Sequence, residues 1–313
     1  MGAWPGDSKY NCENGYGCGP PTLLPIDRYG TQTRWVGIGS GGPKDTEWRA
    51  YPSVPWLRIE PEHGNIKRDG SSDMRAYISV NWDKYDNQDS ATITLAGNEG
   101  SNVTITVPVF ESPPPPKKYK GFVQGDGYVV MEAAHYSSKS SAESYSYEVI
   151  DGYGRTLSGV SVFPVTAYNF TLGSGPSLTY DFWAHQDSEA RITIQIGPSN
   201  NFIYHKQLAF GVQVDKEEPK TLFPIPTNSL MDVSNGNDNR AKEIGAVPSD
   251  WINVVSSEIR NVTLSANISR GAHELKIYGM SAGIVLERIW VDYGGIAERG
   301  WSYLGPPESL RME

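Results

Sequence analysis

Basic residues are scarce in this sequence: 27 lysines and arginines stand against 36 aspartates and glutamates, for a formal net charge of −9 in 313 residues. The deficit is spread evenly, with 10 basic and 14 acidic side chains up to residue 112 and 17 and 22 beyond it. A phosphate backbone is gripped by a basic face or run, and none is present, which argues against nucleic acid as a partner. Long apolar runs are missing too. No segment approaches the roughly 20 apolar residues of a membrane-spanning helix. The N-terminus, Met1-Gly-Ala-Trp-Pro-Gly-Asp-Ser8, has neither the basic nor the apolar stretch of a signal peptide.

Cysteine is nearly absent. Cys12 and Cys18 flank Glu-Asn-Gly-Tyr-Gly, whose glycines permit a tight loop closed by a disulfide; two free thiols are the alternative. A metal site there would need more ligands than this stretch offers. Catalytic signatures are lacking as well. There is no Gly-x-Ser-x-Gly, and His63, His135, His185, His205 and His273 are scattered without a His-Glu-x-x-His pairing. Gly37-Ile-Gly-Ser-Gly-Gly42 has the spacing of a dinucleotide fingerprint, but Pro52 arrives too soon for a following helix, so a glycine-rich turn is expected. Glycoside hydrolysis needs two carboxylates facing across a cleft, and no pair stands out. No catalytic residue is assigned. The stretch from Met231 to Asn239 concentrates oxygen ligands, yet its spacing departs from that of a calcium loop and reads as a polar turn.

What is present is a two-residue rhythm. Ala76, Ile78, Val80 and Trp82 share one face of a strand; Ala91, Ile93 and Leu95 alternate with threonines, as do Ile105 and Val107 further on. Turn-forming clusters separate such runs at the intervals of a β-sandwich. Pro113 to Pro116 are four consecutive prolines, which cannot join a sheet ladder and form a stiff spacer. Beyond it the alternation resumes in Ile192, Ile194 and Ile196 and in Phe210, Val212 and Val214, with a Gly-Ala-His turn before Leu275. One helix is expected over Asp250 to Arg260, capped by Ser249 or Asp250. The expected fold is therefore all-β: an extension over 1–24, an immunoglobulin-like sandwich over 25–112, a linker over 113–118, and a jelly roll over 119–313.

Four sequons, at Asn102, Asn169, Asn261 and Asn267, favour a secreted glycoprotein. With no signal peptide in sight, the expectation is a fragment of a longer chain. Nine Trp and 18 Tyr exceed what two modest cores need, and planar rings suit the apolar faces of sugars. His135, Tyr136, Trp183, Trp251 and Trp290 are the candidate carbohydrate-binding residues, with core packing as the alternative for each Trp.

Several segments resemble the C-terminal region of glycoside hydrolase family 115, the xylan α-1,2-glucuronidases. They are Gly125-Asp-Gly-Tyr-Val-Val-Met-Glu-Ala-Ala-His-Tyr136, Val162-Phe-Pro-Val-Thr166, Leu178-Thr-Tyr-Asp-Phe182, Ser281 to Ile289, and the ending Ser302-Tyr-Leu-Gly-Pro-Pro-Glu-Ser309. Leu24 to Gly30, Arg34-Trp35 and Pro55-Trp-Leu57 are similar to the stretch before that domain in fungal members. The resemblance implies a catalytic barrel upstream, outside this chain, so the chain alone is expected to be inactive. It implies a galactose-binding-like fold, xylan-type polysaccharide and the barrel as partners, and often a homodimer; a purely structural or dimerising segment is the alternative. No cofactor is expected. Related binding modules hold a structural calcium through an early Glu-Ala-Glu, here Glu132-Ala133-Ala134 with Glu287 as the acidic partner, which leaves calcium open.

Overall fold

The computed structural model describes residues 1–6, 21–39, 42–166, 170–202, 207–226, 248, 250–297, 301 and 303–313. The Cys12–Cys18 loop, the Asn169 sequon, Ser249 and the 231–239 loop lie outside them. The chain divides into two compact units. One comprises Met1–Pro114 with the short pieces Gly125–Gly127 and Gly294–Ser302; the other comprises Pro115–Gln124, Tyr128–Tyr293 and Tyr303–Glu313.

In the first unit, strands β1 (Gly2–Pro5), β3 (Thr33–Gly39), β5 (Leu57–Glu60) and β7 (Met74–Val80) form one sheet, in the order β1-β3-β7-β5. A second sheet, ordered β2-β9-β8-β4-β6, contains β2 (Ile26–Asp27), β4 (Thr46–Pro52), β6 (His63–Ile66), β8 (Ser90–Gly97) and β9 (Asn102–Phe110). Successive side chains on a strand point to opposite faces, so Val36, Ile38, Ala76 and Ile78 of one sheet meet Ile93, Leu95, Ile105 and Val107 of the other in a single core. Each such side chain, taken fully out of water, contributes about 1.5–3 kcal/mol before ordering costs. The result is an immunoglobulin-like sandwich.

The glycines at 37 and 39 do not form the expected turn; they lie within β3. The reason is Trp4, which pairs opposite Gly37. A Cβ on Gly37 would stand 2.2 Å from Trp4 Cε2, so only glycine leaves room for the indole on the sheet. The unit also buries an ion pair. Arg34 Nη2 donates to Asp126 Oδ1 at 2.7 Å and to the Pro25 carbonyl at 2.7 Å, while Thr31 N and Oγ1 donate to Asp126 Oδ2 at 2.6 and 2.5 Å. The Asp126 N–H in turn donates to Asp27 Oδ2 at 2.9 Å.

The second unit is larger. One sheet runs β18-β17-β20-β15-β10-β22, from strands β10 (Gly121–Val123), β15 (Ser177–Ala184), β17 (Phe210–Val214), β18 (Lys220–Leu222), β20 (Gly271–Gly279) and β22 (Arg311–Met312); β12 (Ser138–Ser140) joins it on β15. The other runs β13-β14-β21-β16-β19, from β13 (Ser146–Asp151), β14 (Ser158–Phe163), β16 (Ser188–Ile196), β19 (Arg260–Ile268) and β21 (Leu286–Asp292), with β11 (Tyr128–Glu132) paired to β21. From β14 to β17, and again from β19 to β21, the chain changes sheet at every strand, the crossing pattern of a jelly roll. Both sheets feed one core, with Leu178, Tyr180 and Phe182 facing Ile192, Ile194, Ile289 and Val291. Gly271 to His273, expected as a turn, are part of β20.

The helix is shorter than the sequence suggests. Helix α1 covers Trp251–Ser257, and Asp250 stands at its N-cap without a side-chain cap bond. Its carboxylate turns instead to Arg260, accepting from Nε at 3.0 Å and Nη2 at 2.8 Å. The helix stops because Glu258 takes a left-handed conformation (φ 58°) and its N–H closes onto the Val254 and Val255 carbonyls.

One half-buried group makes this unit sensitive to acid. Burial, with a smaller push from the Arg270 charge, lowers the His185 pKa to about 4 from its usual 6.5. The unfolded chain then takes up a proton below about pH 6.5, whereas the folded one does so only near pH 4, so stability is lost as pH falls through that window. Allowing for partial solvent screening, the loss is about 1–2 kcal/mol. Melting at pH 7 and pH 4.5 is expected to show a smaller drop for His185→Gln than for the parent protein. An equal drop in both would remove His185 as the cause.

Candidate carbohydrate site

The hairpin between β13 and β14 carries Gly152-Tyr153-Gly154. With Pro198 after β16, Val255 and Glu258 at the end of α1, and Glu287 on β21, it lines an open recess of about 450 Å³. That volume lies within the range of small-molecule sites, about 300–1,000 Å³. Tyr153 forms an aromatic wall. The chain behind it is cut back to glycine at 197, where a Cβ would stand 2.3 Å from the Tyr153 hydroxyl. Burial and the Glu287 charge raise the Tyr153 pKa, so its hydroxyl stays a neutral donor and acceptor at physiological pH.

Glu287 is the unusual group. It is only 1% exposed, and Oε2 accepts the Arg155 N–H at 3.2 Å. Its other oxygen, Oε1, is buried and has no hydrogen-bond partner among the described residues. A buried acceptor without a donor is costly, and burial is the main cause of the raised pKa of this carboxyl group; the Arg155 N–H and charge oppose the rise. Gly154 sits against the carboxylate at φ +79°, and a Cβ there would lie 2.4 Å from Oε2. The hairpin glycine thus sets how closely the loop approaches the acid.

The five residues expected to contact sugar lie elsewhere, and none lines this recess. His135 Nδ1 is 2.8 Å from Glu308 Oε2, and the neighbouring Tyr136 is packed partly against the core. Trp183, on β15, meets Tyr119 edge-on at 5.4 Å. Trp290, on β21, lies beside Arg288 with its centroid 5.8 Å from the guanidinium. The indole N–H groups of Trp183 and Trp290 are buried without partners among the described residues, and both side chains are half-buried. Trp251 opens α1, half-buried. Of the sequons, Asn102, Asn261 and Asn267 are exposed.

Residues 121–308 match the family model described as the glycosyl hydrolase family 115 C-terminal domain, which is more than half of the chain. The chain belongs to glycosyl hydrolase family 115. Among solved structures, a family 115 4-O-methyl-α-glucuronidase with specificity for decorated arabinogalactans is similar at 14% identity and a TM-score of 0.33; the match covers 50% of this chain and 17% of that one. A family 35 carbohydrate-binding module from Clostridium thermocellum is similar at 11% identity and a TM-score of 0.33, over 52% of this chain and 97% of the module. A C-terminal family 6 module of a laminarinase from Zobellia galactanivorans is similar at 13% identity and a TM-score of 0.31, over 53% and 98%. No curated protein matches the chain.

In this family 115 chain Glu132, at the calcium-like position, is engaged by groups of the protein itself. Glu132 Oε1 stands 2.9 Å from Arg288 Nε and Oε2 accepts from the Thr156 hydroxyl at 2.7 Å, so a protein cation already occupies its side. The contact with Nε is ionic rather than a well-aligned hydrogen bond, because the Nε–H itself finds no acceptor among the described residues. Among the described residues no group of three or more His, Cys, Asp or Glu side chains is placed to hold a metal.

Proposed function

We propose that this chain is the non-catalytic C-terminal segment of a secreted, glycosylated xylan α-1,2-glucuronidase, and that its jelly roll binds the polysaccharide through the Tyr153–Glu287 recess while bracing the catalytic barrel upstream. The observation that carries the binding half is the recess wall itself, where the half-buried Tyr153 ring and the exposed Glu258 carboxylate stand together. The Glu258 carboxylate accepts from a sugar hydroxyl, and the Tyr153 ring supplies the apolar surface that a pyranose needs. Xylan as the polymer and 4-O-methyl-glucuronic acid as the group released upstream follow from the family resemblance.

Affinity electrophoresis of the full chain in gels containing glucuronoxylan or arabinogalactan tests this reading. Retardation is expected with at least one polymer, and Tyr153→Ala should weaken it about tenfold, the equivalent of ~1.4 kcal/mol. Migration unchanged by either polymer would rule out binding.

A purely bracing or dimerising segment is favoured by one observation: Ile252 on α1 is 82% exposed, and Leu157, Tyr303 and Leu304 are also exposed large hydrophobic residues of this unit. Against it, the C-terminal tail is held on its own domain, with Arg288 donating to the Leu304 carbonyl at 2.8 Å and also to that of Pro306.

A further inference from the structure

We infer that the recess accepts neutral sugar residues and turns away acidic ones, so that it reads the uncharged part of a polymer and not its uronic acid branches. This rests on the sugar-binding reading above and adds the substrate class. The side chains lining the recess are Tyr153, Pro198, Val255, Glu258 and Glu287; two are carboxylates and none is basic. Of the two acids Glu287 is nearly wholly buried and Glu258 is exposed, so a ligand reaches Glu258, and the group that meets that carboxylate must bring a proton to share. A hydroxyl does; a uronate carboxylate does not, and it adds a second negative charge to a partly desolvated site.

The charge of Arg155 is felt at Glu287, but neither neighbouring arginine turns its guanidinium fork to the recess. Arg155 gives its main-chain N–H to Glu287 Oε2, but its guanidinium is committed elsewhere: Nε and Nη2 donate to the Ser257 carbonyl and Nη1 to the Tyr303 carbonyl. It also stacks on the Tyr303 ring, 4.1 Å from the centroid. Arg288 is paired with Glu132 and with the tail carbonyls of Leu304 and Pro306. A bidentate clamp of the kind that holds a sugar carboxylate is therefore missing from the described residues around the recess. Glu258 adds its own charge at the mouth, where it is exposed and accepts from the Tyr303 hydroxyl at 3.3 Å.

The test is an NMR titration of the full chain with methyl β-glucoside and methyl β-glucuronide, two probes that differ only at C6. At pH 7 and low salt the glucoside is expected to bind at least about tenfold more tightly. Glu258→Gln, at an exposed site, should narrow that ratio by raising the affinity of the glucuronide alone, and added salt should narrow it in the same way. Equal affinities, or a preference for the glucuronide, would overturn the selectivity and leave sugar binding standing. Binding of neither probe by the parent protein would remove the inference together with the reading on which it rests.

Discussion

Arg34→Met is expected to destabilise the first unit by about 3–5 kcal/mol, the range for breaking a buried ion pair by removing one partner. The side chains of Arg34 and Asp126 are 1% and 0% exposed. Without the guanidinium, Asp126 keeps the two bonds from Thr31 but carries an uncompensated charge in a site closed to water. The Pro25 carbonyl loses its donor as well. Hydrogen exchange of peptides from β8 and β9 reads this unit separately from the other. Replacing both partners together, Arg34→Met with Asp126→Leu, should recover part of the loss, since an apolar pair avoids the desolvation of two charges. A cost below about 1 kcal/mol for Arg34→Met would mean that the pair is not the buried interaction its geometry implies.

Arg288→Met is the second large effect, and it falls on the second unit. Arg288 is 2% exposed and answers Glu132 on one side and the Leu304 and Pro306 carbonyls on the other. The expected cost is again about 3–5 kcal/mol, with faster exchange in the 303–310 tail. The pH dependence identifies the cause. Burial raises the Glu132 pKa, so the folded chain takes up a proton at a pH where the unfolded chain does not, and stability rises as pH falls through that raised value. Losing the Arg288 charge strengthens this, so the deficit of Arg288→Met should shrink between pH 7 and pH 5. Adding Glu132→Gln should abolish the shrinkage. A deficit that does not change with pH would point to lost packing around the guanidinium rather than to the ion pair.

The strands were legible where one face is dry and the other wet. Ala91, Ile93 and Leu95 are buried between half-exposed threonines, so period two marks both the element and its inward face. The β3 glycines were not legible, because their strand conformation depends on Trp4, more than 30 residues earlier in the chain. The end of α1 was not legible either, because it is set by Glu258 in a left-handed conformation that glycine more often supplies; at its start Asp250 keeps the N-cap position but gives its carboxylate to Arg260. At the site, Glu287 stood out as an acid, yet the Arg155 N–H that meets it comes from 132 residues upstream. Tyr153 was missed, although Gly152 and Gly154 on either side of it and Gly159 and Gly197 beyond are the signal of a ring lying close to backbone. For the tryptophans, aromatic excess alone does not separate a packed ring from an open one.

The central claim is that sugar binds where Tyr153 and Glu287 meet. Backbone chemical-shift mapping of the full chain titrated with xylohexaose tests it most directly. The largest perturbations are expected at the amides of Gly152, Tyr153, Gly154 and Glu287, with Tyr153→Ala weakening the response. Perturbations centred instead on His135, Trp183 or Trp290, or none at saturating sugar, would contradict the account.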